Sequence, residues 1–274
     1  MRRTLALTLA AGLMAAGAAG LLAPSANAAQ TGTVTVVHGI PGVNVDVYVD
    51  GAKALTDFKP GTVTKPITLP AGTHAVKIFK TGQGPSGTAV ITDSVVLPAG
   101  ANASLVAYLK ADGSVSPKLA VFVNNTARIA AGQGRVTVRH VAAAPAVKVT
   151  ADGATLIASL ANPAEATATV PAKTYTVAVS PSAGGAAVFT GPLPAAAGAD
   201  TIVYAYGSAT DGTFKVAVQS IGGLGSVPNA VAAGGGGLAG GAGGVPMWAL
   251  VLMVAAGIAA LASGGSLVRS RVGR

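Results

Sequence analysis

Residues 32–51 read GTVTVVHGIPGVNVDVYVDG and residues 134–153 read GRVTVRHVAAAPAVKVTADG; the two align without a gap and agree at nine of twenty positions. In the first copy Val43, Val45, Val47 and Val49 alternate with Asn44, Asp46, Tyr48 and Asp50. A period of two belongs to a strand with one face in a core and the other in water. It predicts the valines inside and Asn44, Asp46, Tyr48 and Asp50 outside. Asp50-Gly51 and Asp152-Gly153 follow as turns, because Asp and Gly tolerate the positive φ of tight hairpins.

Working outward, the correspondence continues. Leu69-Pro70-Ala71 matches Val170-Pro171-Ala172, Leu97-Pro98-Ala99 matches Leu193-Pro194-Ala195, Tyr108 matches Tyr206, and Asp112-Gly113 matches Asp211-Gly212. Further β-rich runs lie at 33–38, 67–69, 73–80, 89–97, 104–109 and 118–123, punctuated by Pro and Gly. About seven short strands per copy at this spacing point to an all-β protein with two tandem immunoglobulin-like β-sandwich domains, residues 32–133 and 134–223, joined by Greek-key connections. The strings Val37-His38-Gly39-Ile40-Pro41-Gly42-Val43-Asn44-Val45-Asp46-Val47-Tyr48-Val49-Asp50-Gly51 and Leu69-Pro70-Ala71-Gly72-Thr73-His74 resemble the DUF4397 family. That resemblance implies a β-sandwich on an exported bacterial surface protein, and no reaction. The second copy departs from it, with Lys148 at the place of Asp46 and Thr150-Ala151 at the place of Tyr48-Val49.

The ends of the chain carry targeting signals. Arg2 and Arg3, the apolar run from Leu5 to Leu22, and Ala26-Asn27-Ala28 make residues 1–28 a secretory signal peptide cleaved after Ala28. Residues 245–268 are 24 uncharged and mostly apolar residues, and Arg269, Arg271 and Arg274 follow in the tail 269–274. As a helix such a segment reaches ~36 Å, enough to cross a ~30 Å hydrocarbon core, with the arginines cytoplasmic. No Leu-Pro-x-Thr-Gly sorting motif precedes it, so a C-terminal transmembrane helix that stays in the membrane is expected. The stretch 226–244 is a Gly- and Ala-rich linker, a flexible tether of about 25 Å. The expected location is the cell membrane, single-pass, with the repeats extracellular.

Composition narrows the functions. Hydrophobic residues make up 51% of the chain and charged ones 10%, which excludes intrinsic disorder. The chain has no Cys, hence no disulfide framework and no thiol nucleophile. Of the net charge of +9, five positive charges sit at the extreme ends, so the body lacks the basic clustering of a nucleic-acid partner. No Gly-x-Ser-x-Gly elbow occurs, no two histidines stand at metal-ligand spacing, and the nine acids are scattered. No catalytic residue, metal ligand or cofactor is expected. His38 and His140 end equivalent strands and are expected to bond inward to backbone; His74 aligns with Tyr175, which suits a packed amphipathic ring better than a base. The candidate binding surface is His38, Pro41, Asp46, Tyr48, Gly82 and Gly84, taking in the Pro41-Gly42 loop and the glycine-rich loop 82–87. The chain reads as a membrane-anchored structural or ligand-binding surface module, whose partner is a cell-wall polymer or another surface protein. The alternatives are a cell-envelope hydrolase and a carbohydrate-binding module using Tyr48, Tyr204 or Tyr206.

Overall fold

Branched residues alternating with polar ones become strands in both copies. The computed structural model describes residues 30–112 and 117–226. Repeat 1 contains β1 Thr31–His38, β2 Val45–Val49, β3 Ala52–Phe58, β4 Ile67–Pro70, β5 Gly72–Lys80, β6 Ile91–Leu97, β7 Asn102–Leu109 and β8 Pro117–Val123. Repeat 2 contains β9 Gln133–His140, β10 Val147–Ala151, β11 Ala154–Leu160, β12 Ala164–Pro171, β13 Lys173–Pro181, β14 Phe189–Ala195, β15 Asp200–Tyr206 and β16 Lys215–Ile221. They form four four-stranded sheets, ordered β4-β1-β7-β8 and β3-β2-β5-β6 in repeat 1, and β12-β9-β15-β16 and β11-β10-β13-β14 in repeat 2. The two orders are the same, so the duplication seen in sequence is a duplication of topology.

Each repeat has eight strands rather than about seven. The extra one, β3, shows no apolar alternation because it is a bulged edge strand, exposed except at Leu55 and Phe58. The first strand pairs antiparallel with the fourth and parallel with the seventh. In constant-type immunoglobulin order the first strand lies beside the second. The layering is therefore that of a sandwich, in a strand order of its own.

Within repeat 1 the two sheets enclose Val34, Val45, Val47, Val76, Ile78 and Leu105; repeat 2 encloses Val136, Val147, Val149, Val177 and Leu193. A third core lies between the repeats. It joins Val37, Val106 and Tyr108 of repeat 1 to Ile202, Tyr204, Tyr206 and Ala217 of repeat 2. The central strands of sheets β4-β1-β7-β8 and β12-β9-β15-β16 are thus buried on both faces, and the two repeats, each with its own core, pack into one compact unit.

Among the described residues no helix is long and apolar enough to cross a membrane. The signal peptide 1–28, nearly all of the linker 226–244, the apolar segment 245–268 and the tail 269–274 lie outside the described residues.

Candidate functional site

The six residues singled out from sequence fall in three places. His38 is buried and faces the core of repeat 1, stacked on Phe58 with ring centroids 5.6 Å apart. Its Nε2–H donates to the Val43 carbonyl at 2.9 Å and its Nδ1 accepts from the Ile40 amide at 3.3 Å. One acceptor and one donor fix the neutral tautomer, and burial holds the pKa below its ordinary value. His140 keeps the first bond, to the Pro145 carbonyl at 3.0 Å, while its buried Nδ1 has no partner among the described residues.

Asp46, Tyr48, Gly82 and Gly84 cluster on the outer face of sheet β3-β2-β5-β6, but Asp46 and Tyr48 are not in water. They are 1% and 8% exposed, which corrects the expectation from alternation. Asp46 accepts from the Asp57 amide at 3.0 Å and from Lys53 Nζ at 2.9 Å. Those bonds, the amide first, hold its carboxyl below the ordinary carboxylate range. Tyr48 packs edge-on against Phe79 at 5.4 Å, and Gly84 and Pro85 of the β5–β6 loop approach its ring. The glycine-rich β5–β6 loop folds over this face and β3 supplies Lys53 and Asp57, so the polar side of β2 is shielded from both sides. Tyr204 and Tyr206, the other aromatics considered for sugar stacking, are 0% and 5% exposed between the repeats.

Tyr48 lines only a small pocket with Gly51, Lys77, Phe79 and Pro85, whereas Pro41 lines a much larger cleft. Where β1 ends, the Gly39 amide donates to Ala107 O and the chain turns through Ile40, Pro41 and Gly42, whose φ of 78° favours glycine. Beside it β7 ends at Leu109, and Lys110 pairs with Asp112, which pushes the lysine pKa up. The equivalent loops of repeat 2 lie opposite. Ala143 bridges Ser208, donating to Gly207 O and accepting from the Ala209 amide. Asn162 Nδ2 ties the two halves together by donating to Leu109 O at 3.0 Å and Ala142 O at 2.6 Å. The result is a cleft of about 850 Å³ walled by Ile40, Pro41, Leu109, Ala143, Ala144 and Pro145, with Lys110, Ser208, Thr210 and Asp211 as its polar groups. Ligand sites commonly fall at such junctions and in this volume range.

The cleft lies at one end of the strands. β1, β7, β9 and β15 run toward it, while the first described residue, Gln30, and the last, Ser226, lie at the opposite end, where Gln30 O accepts from Ala71 and Ser226 donates to Ile129 O. Sequence reasoning found Pro41 but missed the repeat-2 half and Lys110. The available signal is the matched pair of Asp-Gly dipeptides, Asp112-Gly113 and Asp211-Gly212, residue types that favour loops. Among the described residues no group of three His, Asp or Glu converges for a metal ion.

The family model of DUF4397, described as a domain of unknown function, matches residues 32–150. Residues 32–150 are a DUF4397 domain. The match covers all of repeat 1 and runs to the strand β10, so the DUF4397 domain contributes Ile40, Pro41, Leu109, Lys110 and also Ala143 to Pro145 of the cleft. No curated protein matches the chain. Among solved structures it is similar to the TIE protein of Bacillus anthracis, at 12% identity and a TM-score of 0.22, covering 65% of this chain and 33% of that one. It is also similar to a family CBM26 module of Eubacterium rectale Amy13K, solved with maltoheptaose, at 12% identity and a TM-score of 0.23, covering 73% of this chain and 98% of that one. The chain spans a third of the TIE protein's length, and likenesses this low carry no argument about ligand.

Proposed function

We propose that this chain is an exported, membrane-anchored surface protein whose two sandwich repeats form one non-catalytic binding module, with its ligand in the cleft between them. The repeats work in the manner of immunoglobulin-like domains, as rigid layers that present loops at one end. The cleft carries the reading: it is built from equivalent loops of both repeats and lies at the far end from Ser226, the side from which the chain continues toward residues 245–268. A signal at 1–28 and an apolar segment at 245–268 before Arg269, Arg271 and Arg274 support export and anchoring.

The test has two arms. The full chain is expected to fractionate with membranes, and deletion of residues 245–274 to release it into the medium; covalent recovery with peptidoglycan overturns the anchor. Labelled full chain in detergent is expected to bind intact cells saturably, and both Ala144→Arg and Thr210→Arg, which fill the cleft, to reduce that binding at least tenfold; Ala144 is buried and its variant loses stability, whereas Thr210 is exposed and its variant melts like the parent. Saturable binding indifferent to Thr210→Arg overturns the cleft, and release of reducing ends from purified wall polymer establishes the hydrolase alternative.

A further inference from the structure

From the chemistry of its walls we infer that the cleft takes a peptide rather than a glycan, specifically an extended segment carrying a lysine or arginine among small apolar residues. The inference rests on the cleft being the ligand site. A pyranose ring is held by stacking its C–H face on an aromatic and by planar forks of carboxamide, carboxylate or guanidinium that grip vicinal hydroxyls. Among the described residues that line it, the cleft offers no aromatic ring, carboxamide or guanidinium, and its one carboxylate, Asp211, has no ring beside it on which a sugar face could stack. What it offers is aliphatic: Pro41 and Leu109 from one repeat face Ala143 and Pro145 from the other, a surface that buries small side chains without demanding hydrogen bonds.

The polar groups add a direction. Ser208 Oγ already accepts from the Asp211 amide at 3.3 Å, so its O–H is left to donate, as a peptide carbonyl requires. Lys110 is neutralised by Asp112. Asp211 has no basic partner among the described residues and stands exposed at the cleft wall. Among the described residues the lining therefore carries one uncompensated negative charge, that of Asp211. A cation on the ligand satisfies it and an anion is repelled, a discrimination that works through sign even where net affinity is modest. Two equivalent loop pairs flanking the cleft also suit an extended chain, which presents side chains alternately to opposite walls.

The experiment uses the full chain in detergent and three probes: a fluorescein-labelled octapeptide of Ala, Val and Pro with one central Lys, the same peptide with Glu in that place, and maltoheptaose. The Lys peptide is expected to raise the fluorescence anisotropy, the Glu peptide to bind at least tenfold more weakly, and maltoheptaose not to compete. Asp211→Asn is expected to erase the Lys-over-Glu preference. Because Asp211 is an exposed loop residue, that variant keeps the melting temperature of the parent. Equal binding of both peptides, or a preference unchanged in Asp211→Asn, overturns the inference. Binding of maltoheptaose that Thr210→Arg abolishes overturns the peptide but leaves the cleft as the site. Binding of any probe that Thr210→Arg leaves intact overturns the cleft itself.

Discussion

The three histidines of this chain show how partner type decides protonation. His74 has two acceptors, Asp50 Oδ2 at 2.6 Å from Nδ1 and the Pro70 carbonyl at 2.8 Å from Nε2, so only the imidazolium satisfies both. The bond to Asp50, before that to Pro70, raises its pKa above 6.5, and the same bond lowers the pKa of Asp50. Stability from His74 is then fully present below pH 6.5 and lost as pH rises through the raised folded value. His38 and His140 run the other way. Burial lowers both, so the unfolded chain takes up their protons first and stability is lost as pH falls below 6.5. Repeat 2 supplies the variant that separates the two effects. Tyr175 stands at the position of His74, and its hydroxyl donates to Pro171 O at 2.8 Å, the counterpart of the Pro70 bond. His74→Tyr should keep that bond while removing the titration. Melting temperatures from about pH 5.5 to about pH 8.5 should fall toward high pH in the parent and stay level there in the variant, with the acid-side loss retained in both. A variant that still loses stability at alkaline pH would show that another group carries the slope.

At the scale of elements, the inner sheets are joined through Arg139 on β9. Its side chain is 1% exposed, donates to Glu165 at 2.9 Å, Tyr204 at 2.7 Å and Asn124 at 2.7 Å, and lies over the Phe122 ring at 4.6 Å. Tyr204 in turn donates to Gln219 at 2.6 Å, and Gln219 also accepts from Ser104 across the repeats. Arg139→Met removes a fork that three acceptors share. The expected cost is on the order of 3 kcal/mol from unsatisfied partners, or roughly 6–12 °C of melting temperature in a unit of this size. Arg139→Lys should recover only part, since an ammonium cannot bond three acceptors in a plane and stack as well. A loss below about 2 °C for Arg139→Met would mean that packing alone holds the sheets. This junction also marks the limit of what was legible in sequence. The alternation in β2 gave the strand and its inner face, because valine burial there is a one-strand property. It misplaced Asp46 and Tyr48, because their cover comes from β3, whose Lys53 and Asp57 bond Asp46, and from the β5–β6 loop about 35 residues later. The two-sided burial of β7 and β15 was written in runs such as Ser104-Leu105-Val106-Ala107-Tyr108, apolar on both faces. What that second face meets depends on how the repeats dock, and Pro41 was readable as a loop residue while the opposite wall of its cleft was not for the same reason.

For the whole molecule the junction is an interface between two copies of one fold, meeting through equivalent faces as in a two-fold dimer. The register makes the equivalences explicit: Val37 corresponds to Arg139, Val106 to Tyr204, Ser104 to Ile202 and Phe122 to Gln219. The two faces have therefore diverged into complements. Repeat 1 presents Val37, Val106 and Phe122, and repeat 2 answers with Arg139 over Phe122 and Gln219 against Ser104. Tyr206 reaches across as well, and a Cβ at Gly61, where φ is 78°, would run into its hydroxyl. A pair of repeat-1 copies would bury valine and phenylalanine against each other, which costs nothing electrostatically. A pair of repeat-2 copies would bury two guanidinium groups, each facing Gln219 and Ile221 where Phe122 and Asn124 now stand, and charges so placed are strongly disfavoured. Expressed separately, residues 30–132 should self-associate and residues 133–226 should remain monomeric, and mixing them should give a one-to-one complex at the expense of the repeat-1 oligomer. Sedimentation velocity on the two halves and on their mixture reads this directly. Self-association of the repeat-2 half, or no complex on mixing, would show that the asymmetry of the faces does not govern pairing. Intact, the two repeats should melt in a single transition, because neither inner sheet can leave its partner without exposing the third core.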